Sequence, residues 1–198
     1  MTARSAKTDN HSLTLKLDLR RQLLAPFSAA HPLRVLDCCA GHGRLWAALR
    51  GEFPVASYLA FDLQRRPGAL RCDSARWLHD VPLTATVVDI DTYGEPWRHY
   101  FALLSASWPQ PDMLIFLTLG RGLGNMGAVS AESLAAAGIP PKWSPLMPRA
   151  SDVLRDLLNT ACLSLCHAHG AQVVQSLRAK PHDAATLYFG LWLRKDLS

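Results

Sequence analysis

The sequence predicts an α/β fold: an open, doubly wound, mostly parallel sheet closed by a reversed hairpin. Short apolar runs alternate with helical stretches, the pattern of a parallel sheet covered on both faces. The first run empties into a Gly-x-Gly turn at Val35-Leu36-Asp37-Cys38-Cys39-Ala40-Gly41-His42-Gly43. The last two runs have no helix between them, so they should pair as an antiparallel hairpin and leave one reversed edge strand. The 198 residues, 49% apolar and 19% charged, suit a single domain with a sizeable core.

Residues 1–12 are polar and read as a disordered, frayed terminus. LTLKLDLRRQLLAPF alternates at first and then turns helical, and its period leaves strand and helix both open. LRVLDCCAG is the first clear strand, and RLWAALRG is a short helix stopped by Gly51. VASYLAFDL is a second strand ending at Asp62. GALRCDSARWL holds a short third strand followed by Asp73. LTATVVDID is a fourth strand, ending at Asp89 and Asp91. RHYFALLSASW reads as a helix and PDMLIFLTLG as the fifth strand. ASDVLRDLLNTACLSLCHAHG is a long helix capped by Ser151 or Asp152 and ended by Gly170. AQVVQSLRA and ATLYFGLWLRK supply the hairpin. Residues 120–150 are the one long irregular stretch, which reads as a lid or substrate insertion within a domain spanning 1–198.

A formal charge of +5 favours a polyanionic partner. Five cysteines, an odd number with no leader-like segment, argue against a disulfide framework and for a cytoplasmic protein. Cys162 and Cys166 share a helix face with His167 and His169 just beyond. No second pair has ligand spacing, so they read as buried small apolar positions and no metal is expected. No apolar run approaches the ~20 residues of a membrane span.

A strand-to-Gly-x-Gly turn can cradle a dinucleotide or S-adenosylmethionine. The dinucleotide fingerprint wants a small residue three places after Gly43, where the helix packs on the strand, and Trp46 stands there. S-adenosylmethionine needs backbone pressed close, which glycine permits. It also needs a carboxylate for its ribose hydroxyls and a polar acceptor with apolar cover for its adenine. These occur in chain order: Asp37, Cys39, Ala40, Gly41 and Gly43 at the first strand end; Asp62 and Leu63 at the second; Asp73 and Ser74 at the third; Asp89 at the fourth. The competing reading is that such acids cap the helices that follow.

With these pieces in order, the chain resembles the class I S-adenosylmethionine-dependent methyltransferases. VLDCCAGHGRLW, YLAFD, CDSARWL and VVDID carry the resemblance, over about residues 33–120. It implies a seven-stranded sheet with its last strand antiparallel, and S-adenosylmethionine as cofactor. Only about six residues separate Asp62 from the next strand, so the helix usual there should be short or absent.

The fourth strand runs into Asp89-Ile90-Asp91-Thr92-Tyr93-Gly94-Glu95-Pro96. An amine on an aromatic base is a poor nucleophile, because its lone pair is delocalised. A carboxylate accepting its N–H bonds pulls the nitrogen towards tetrahedral geometry, and an aromatic side chain stacks on the base. The segment resembles the acid-Pro-aromatic motif of nucleic-acid amino-methyltransferases, and more closely that of tRNA guanine-N2 dimethyltransferases. By that match Asp91 is the catalytic acceptor, Tyr93 stacks the base and Gly94 keeps the loop close. Thr92 stands where those families carry proline, and their accessory domain has no counterpart in these 198 residues. The expected partner is RNA or DNA. Arg65, Arg66, Arg71, Arg76, Lys142 and Arg149 are candidate phosphate contacts, and Arg121, Asn125 and Trp143 candidate substrate contacts. Two other readings stay open: a cofactor-binding or partner protein without turnover, and a small-molecule or protein methyltransferase.

Overall fold

The computed structural model describes residues 12–27, 31–120, 128–146, 151–180 and 186–195. In chain order its elements are α1 (Leu13–Leu24), β1 (Leu33–Asp37), α2 (Arg44–Leu49), β2 (Val55–Asp62), β3 (Leu70–Arg71), α3 (Ser74–Asp80) and β4 (Val87–Ile90). There follow α4 (Trp97–Ser105), β5 (Asp112–Leu119), α5 (Ala131–Ala136), a 3-10 turn (Pro141–Leu146), α6 (Ser151–His169), β6 (Ala171–Ala179) and β7 (Leu187–Lys195). The strands form one seven-stranded sheet in the order β3-β2-β1-β4-β5-β7-β6. β1 to β5 are parallel, and β7 is antiparallel to both of its neighbours. The reversed strand is therefore not at the edge: β7 threads between β5 and β6, and β6 takes the edge. The strand order switches between β1 and β4, whose carboxyl ends border the crevice where such sheets hold ligands.

Successive strand residues face opposite layers. Leu36, Val88, Ile90, Ile115 and Leu117 pack with residues of α3, α4 and α6. Val35, Val87, Leu114 and Phe116 pack with α1 and α2. α1 resolves the ambiguity of LTLKLDL. Its buried positions are Leu19, Arg20, Leu23 and Leu24, one helical stripe, while the alternating pattern leaves Leu15 exposed. Burial against the sheet outweighs the local period.

α1 sits over Gly190 of β7, where a Cβ would run into Leu23 Cδ1 and Leu19 Cδ2. Gly190→Val should cost about 1–3 kcal/mol by overpacking, read as a lower urea midpoint at constant slope. An unchanged midpoint would mean that α1 is not seated there.

Within the stretch 120–150, the described residues 128–146 are less irregular than their sequence suggests. Ser130 caps α5, accepting from Ser133 N–H at 3.0 Å. Val129, Leu134 and Ala137 pack with Leu157 of α6. Residues 63–69 contain no helix, as the short spacing after Asp62 requires. Among the described residues, no helix is long and apolar enough to cross a membrane.

Candidate functional site

The chain leaves β1 through Gly41 and Gly43, with φ of +54° and +68°. Glycine enters this left-handed region at little cost, and a Cβ at either position would meet nothing within 4 Å. The turn thus presents bare backbone. Its Gly41 N–H donates to Asp62 Oδ2 at 3.0 Å, and Gln64 N–H donates to Oδ1 at 2.7 Å. Each Asp62 oxygen retains a lone pair for an outside hydroxyl. Leu63 is exposed beside it.

A cavity of about 330 Å³ opens next to this turn. Cys39, Ala40 and Gly41 line it, together with Asp91, Tyr93 and Gly94. Lys16, Thr118, Gly120 and Tyr188 are also in its wall. The loop after β4 is pinned to the end of β5 where Gly120 N–H donates to Gly94 O at 2.6 Å. A Cβ on Gly120 would lie 3.0 Å from that oxygen, so the close approach uses both glycines. Tyr93 is 71% exposed, an aromatic face free to stack.

Two basic residues missed in the sequence complete the site. Asp89 and Asp91 are two apart at the end of β4, which at ~3.3 Å per residue places them ~6.6 Å apart on one face. Lys16 and Arg20 are four apart on α1, a rise of ~6 Å on one side of the helix. The spacings match, and the pairs register. Arg20 Nε and Nη2 donate to Asp89 Oδ2 and Oδ1 at 2.8 and 2.6 Å. Lys16 Nζ donates to both Asp91 oxygens, at 2.7 and 2.6 Å. Arg20 Nη1 also donates to Lys16 O at 3.0 Å, so the lower pair holds the backbone that carries the upper one. Thr118 Oγ1 adds a bond to Asp91 Oδ1 at 2.6 Å. The signal was present as K-x-x-x-R against D-x-D, but it needs the placement of α1 over β4 to be read.

Burial separates the strand-end acids. Asp89 is 1% exposed, and its carboxylate is taken by Arg20 and by the Trp46 indole N–H at 2.7 Å. It lies beneath the cavity, not in its wall. Trp46 is itself fully buried there, which explains how a large residue fits after the turn. Asp73 caps α3 and pairs with Arg98 at 2.5 Å, while keeping a partly exposed carboxylate at the end of β3. Ser74 is buried, donating to Cys38 O at 2.6 Å and lying 2.8 Å from His99 Nε2. Burial pushes His99 down to about 4, so the ring is neutral near pH 7. Cys39 lies 3.9 Å from the same nitrogen. Burial, then Asp37, drives its thiol well above the usual range, so it is not a thiolate nucleophile.

Asp37 accepts from Tyr58 Oη at 2.9 Å. Burial, then the charge of Asp89, raises it to about 8. A free Asp titrates near ~4. Between those values the folded chain holds a proton that the unfolded chain has released, so stability falls as pH rises from about 4 to about 8. Asp37→Asn should flatten this loss. Urea midpoints at pH 5 and pH 8 should converge in the variant relative to wild type; equal spacing in both would clear Asp37 of the effect.

Of the remaining candidates, Arg121, Asn125 and Arg149 lie outside the described residues. Trp143 is half exposed in the 3-10 turn, with Lys142 Nζ 6.0 Å from its ring centroid, and does not line the cavity. Arg66 reaches Gln64 Oε1 at 2.7 Å and His42, a cavity residue, at 3.5 Å. Arg76 is exposed and pairs with Asp80 at 3.7 Å. Cys162 and Cys166 are buried free thiols, while His169 stacks on Trp108. Among the described residues, no group of three or more His, Cys, Asp or Glu is placed to hold a metal ion.

No family model matches the sequence, and no curated protein matches it either. Solved structures do match. Trm1 from Pyrococcus horikoshii, in complex with S-adenosyl-L-methionine, aligns over 99% of this chain with a TM-score of 0.62 at 16% identity. The chain spans 58% of that protein's length. TYW2 from M. jannaschii, in complex with AdoMet, aligns over 93% of this chain and 77% of its own, with a TM-score of 0.53 at 10% identity. The [4+2]-cyclase SpnF aligns over 100% of this chain and 86% of its own, with a TM-score of 0.52 at 14% identity. These likenesses establish the fold alone: a Rossmann-like, mostly parallel seven-stranded sheet shared with structures solved with S-adenosyl-L-methionine bound. The cyclase among them shows that the fold alone does not fix the reaction.

Proposed function

We propose that the chain is an S-adenosylmethionine-dependent methyltransferase that methylates an amine on a nucleic-acid base. The observation that carries the reading is the convergence of Asp62 on the bare Gly41 turn, beside a cavity holding Asp91 and Tyr93. Solved neighbours bound to S-adenosyl-L-methionine support it. The residues fit that cofactor: two positive-φ glycines leave backbone open to close approach, and Asp62 offers acceptors for a pair of hydroxyls. Cys39, Ala40 and Leu63 supply apolar cover, and Asp73 remains the acceptor for an adenine amine. Asp37 acts from below by accepting from Tyr58 of β2, and Asp89 by accepting from Arg20 of α1 and Trp46 of α2.

Bound there, S-adenosylmethionine supplies an electrophilic methyl group. The chain's own task is alignment and exclusion of water. Asp91 accepts an N–H of the incoming amine and orients its lone pair. Tyr93 stacks on the base, and the Gly94–Gly120 contact sets the depth of the loop. Because the amine can shed its proton after attack, Asp91 orients more than it deprotonates. The basic surface, including Arg66 near His42, favours a polyanion.

The test is labelled-methyl transfer to bulk tRNA, DNA and a protein extract. Label in a nucleic-acid fraction, on a base amine, is the expected result; label only in protein or small molecules would contradict the substrate assignment. Because Lys16 occupies Asp91, a second reading is a cofactor-holding protein without turnover. Cofactor binding without label in any fraction would favour it.

A further inference from the structure

We propose that Lys16 and Asp91 together form a two-point reader, which selects an acceptor ring whose reactive amine stands beside a ring-nitrogen acceptor. This inference rests on the proposed base-amine reading and assigns a specificity role to a residue outside the methyl-transfer motif.

A carboxylate offers about four lone-pair sites. Asp91 Oδ1 spends its two on Lys16 and Thr118, at 2.7 and 2.6 Å. Oδ2 accepts only from Lys16, at 2.6 Å, among the described residues. One acceptor site therefore remains, on Oδ2. An ammonium has three donors. That of Lys16 engages the two Asp91 oxygens, lies 5.1 Å from the Tyr188 ring centroid, and has no further hydrogen-bond partner among the described residues. Both side chains line the cavity. They are partly buried, 12% and 23% exposed, so their attraction is weakly screened.

The cavity therefore carries an acceptor and a donor side by side, the complement of an N–H next to a lone pair. Bidentate recognition of adenine by an amide side chain uses this arrangement. Adenine and cytosine show an amine beside a ring nitrogen, as does guanine at its 2-amino edge. Uracil has no amine, and an aliphatic amine has no neighbouring acceptor. Arg20 makes the device rigid by bonding Lys16 O while locked on Asp89. Lys16 is thus a specificity residue: with it, an amine alone does not suffice.

The test is binding, separate from turnover. Fluorescent uridine-rich RNA nonamers carrying one central adenosine, cytidine or guanosine are compared with 1-deaza- and 7-deazaadenosine, 3-deazacytidine and 3-deazaguanosine versions. Binding is measured with S-adenosylhomocysteine present. Removing the ring nitrogen beside the recognised amine should weaken wild-type binding at least about tenfold for one base, because it strands a charged donor. Lys16→Met should erase that discrimination to within about twofold, and Lys16→Arg should keep it. Thermal melting of each variant confirms that it folds. Wild type indifferent to every ring nitrogen, or Lys16→Met discriminating as wild type does, overturns the inference. Selective binding without methyl transfer would leave Lys16 in place and remove the enzymatic reading; transfer without selectivity would do the reverse.

Discussion

Arg20→Met is expected to destabilise the folded chain by about 3–5 kcal/mol, the cost of breaking a buried ion pair from one side. The pair's side chains are each 2% exposed. The guanidinium places donors on both Asp89 oxygens and on Lys16 O, and lies over the Phe116 ring at 4.8 Å. Its removal leaves Asp89 a buried charge held, among the described residues, only by Trp46. The double variant Arg20→Met, Asp89→Leu should recover much of the loss, since replacing both partners of such a pair by apolar groups is often neutral. Urea unfolding of the wild type, the single variant and the double variant measures both effects. A single variant within 1 kcal/mol of wild type would mean, roughly, that α1 is not anchored through this pair.

Asp91→Ala is expected to lower methyl transfer by about 10²–10³-fold, the scale for losing one hydrogen bond aimed at the reacting group. Cofactor affinity should stay within about twofold, because the groups proposed to hold the cofactor sit at the ends of β1, β2 and β3. Asp91→Asn keeps one carbonyl acceptor and should fall between wild type and alanine. Label transfer at saturating cofactor, with calorimetry on the same samples, separates the two effects. Unchanged transfer by the alanine variant would remove Asp91 from the chemistry, and a parallel loss of cofactor binding would make its role structural. Because Asp91 also anchors Lys16, melting curves for each variant complete the comparison.

The strands were legible because a run such as LRVLD, buried on both faces, declares itself without knowledge of its partners. The Gly-x-Gly turn and Asp62 were legible because each simply ends a strand run, although the bond between them, Gly41 to Asp62, links ends of adjacent strands. α1 was not, because Leu13, Leu15, Leu17 and Leu19 alternate like a strand and only packing on β7 selects the helix. α5 hid between glycine-rich and proline-rich flanks, although Ser130 and Gly138 bracket it as cap and stop. The acids of β4 looked equivalent in sequence. The structure divides them: Asp89 lies under α1 with Arg20, Asp91 at the cavity with Lys16. Basic residues on a mixed amphipathic helix read as a solvated face, and their true partners lie about seventy positions away. The reversed strand was recognised but put at the edge, because strand order is a property of long-range packing that the hairpin does not encode.

The central claim is that the Gly41–Gly43 turn and Asp62 together hold an adenosyl ligand. Its most direct test is calorimetric titration of the full chain with S-adenosylmethionine, beside Asp62→Ala. The account predicts saturable one-site binding by the wild type, weakened at least about tenfold in the variant by loss of charged hydrogen bonds. A wild type that shows no binding, or an Asp62→Ala variant that binds equally well, would contradict it.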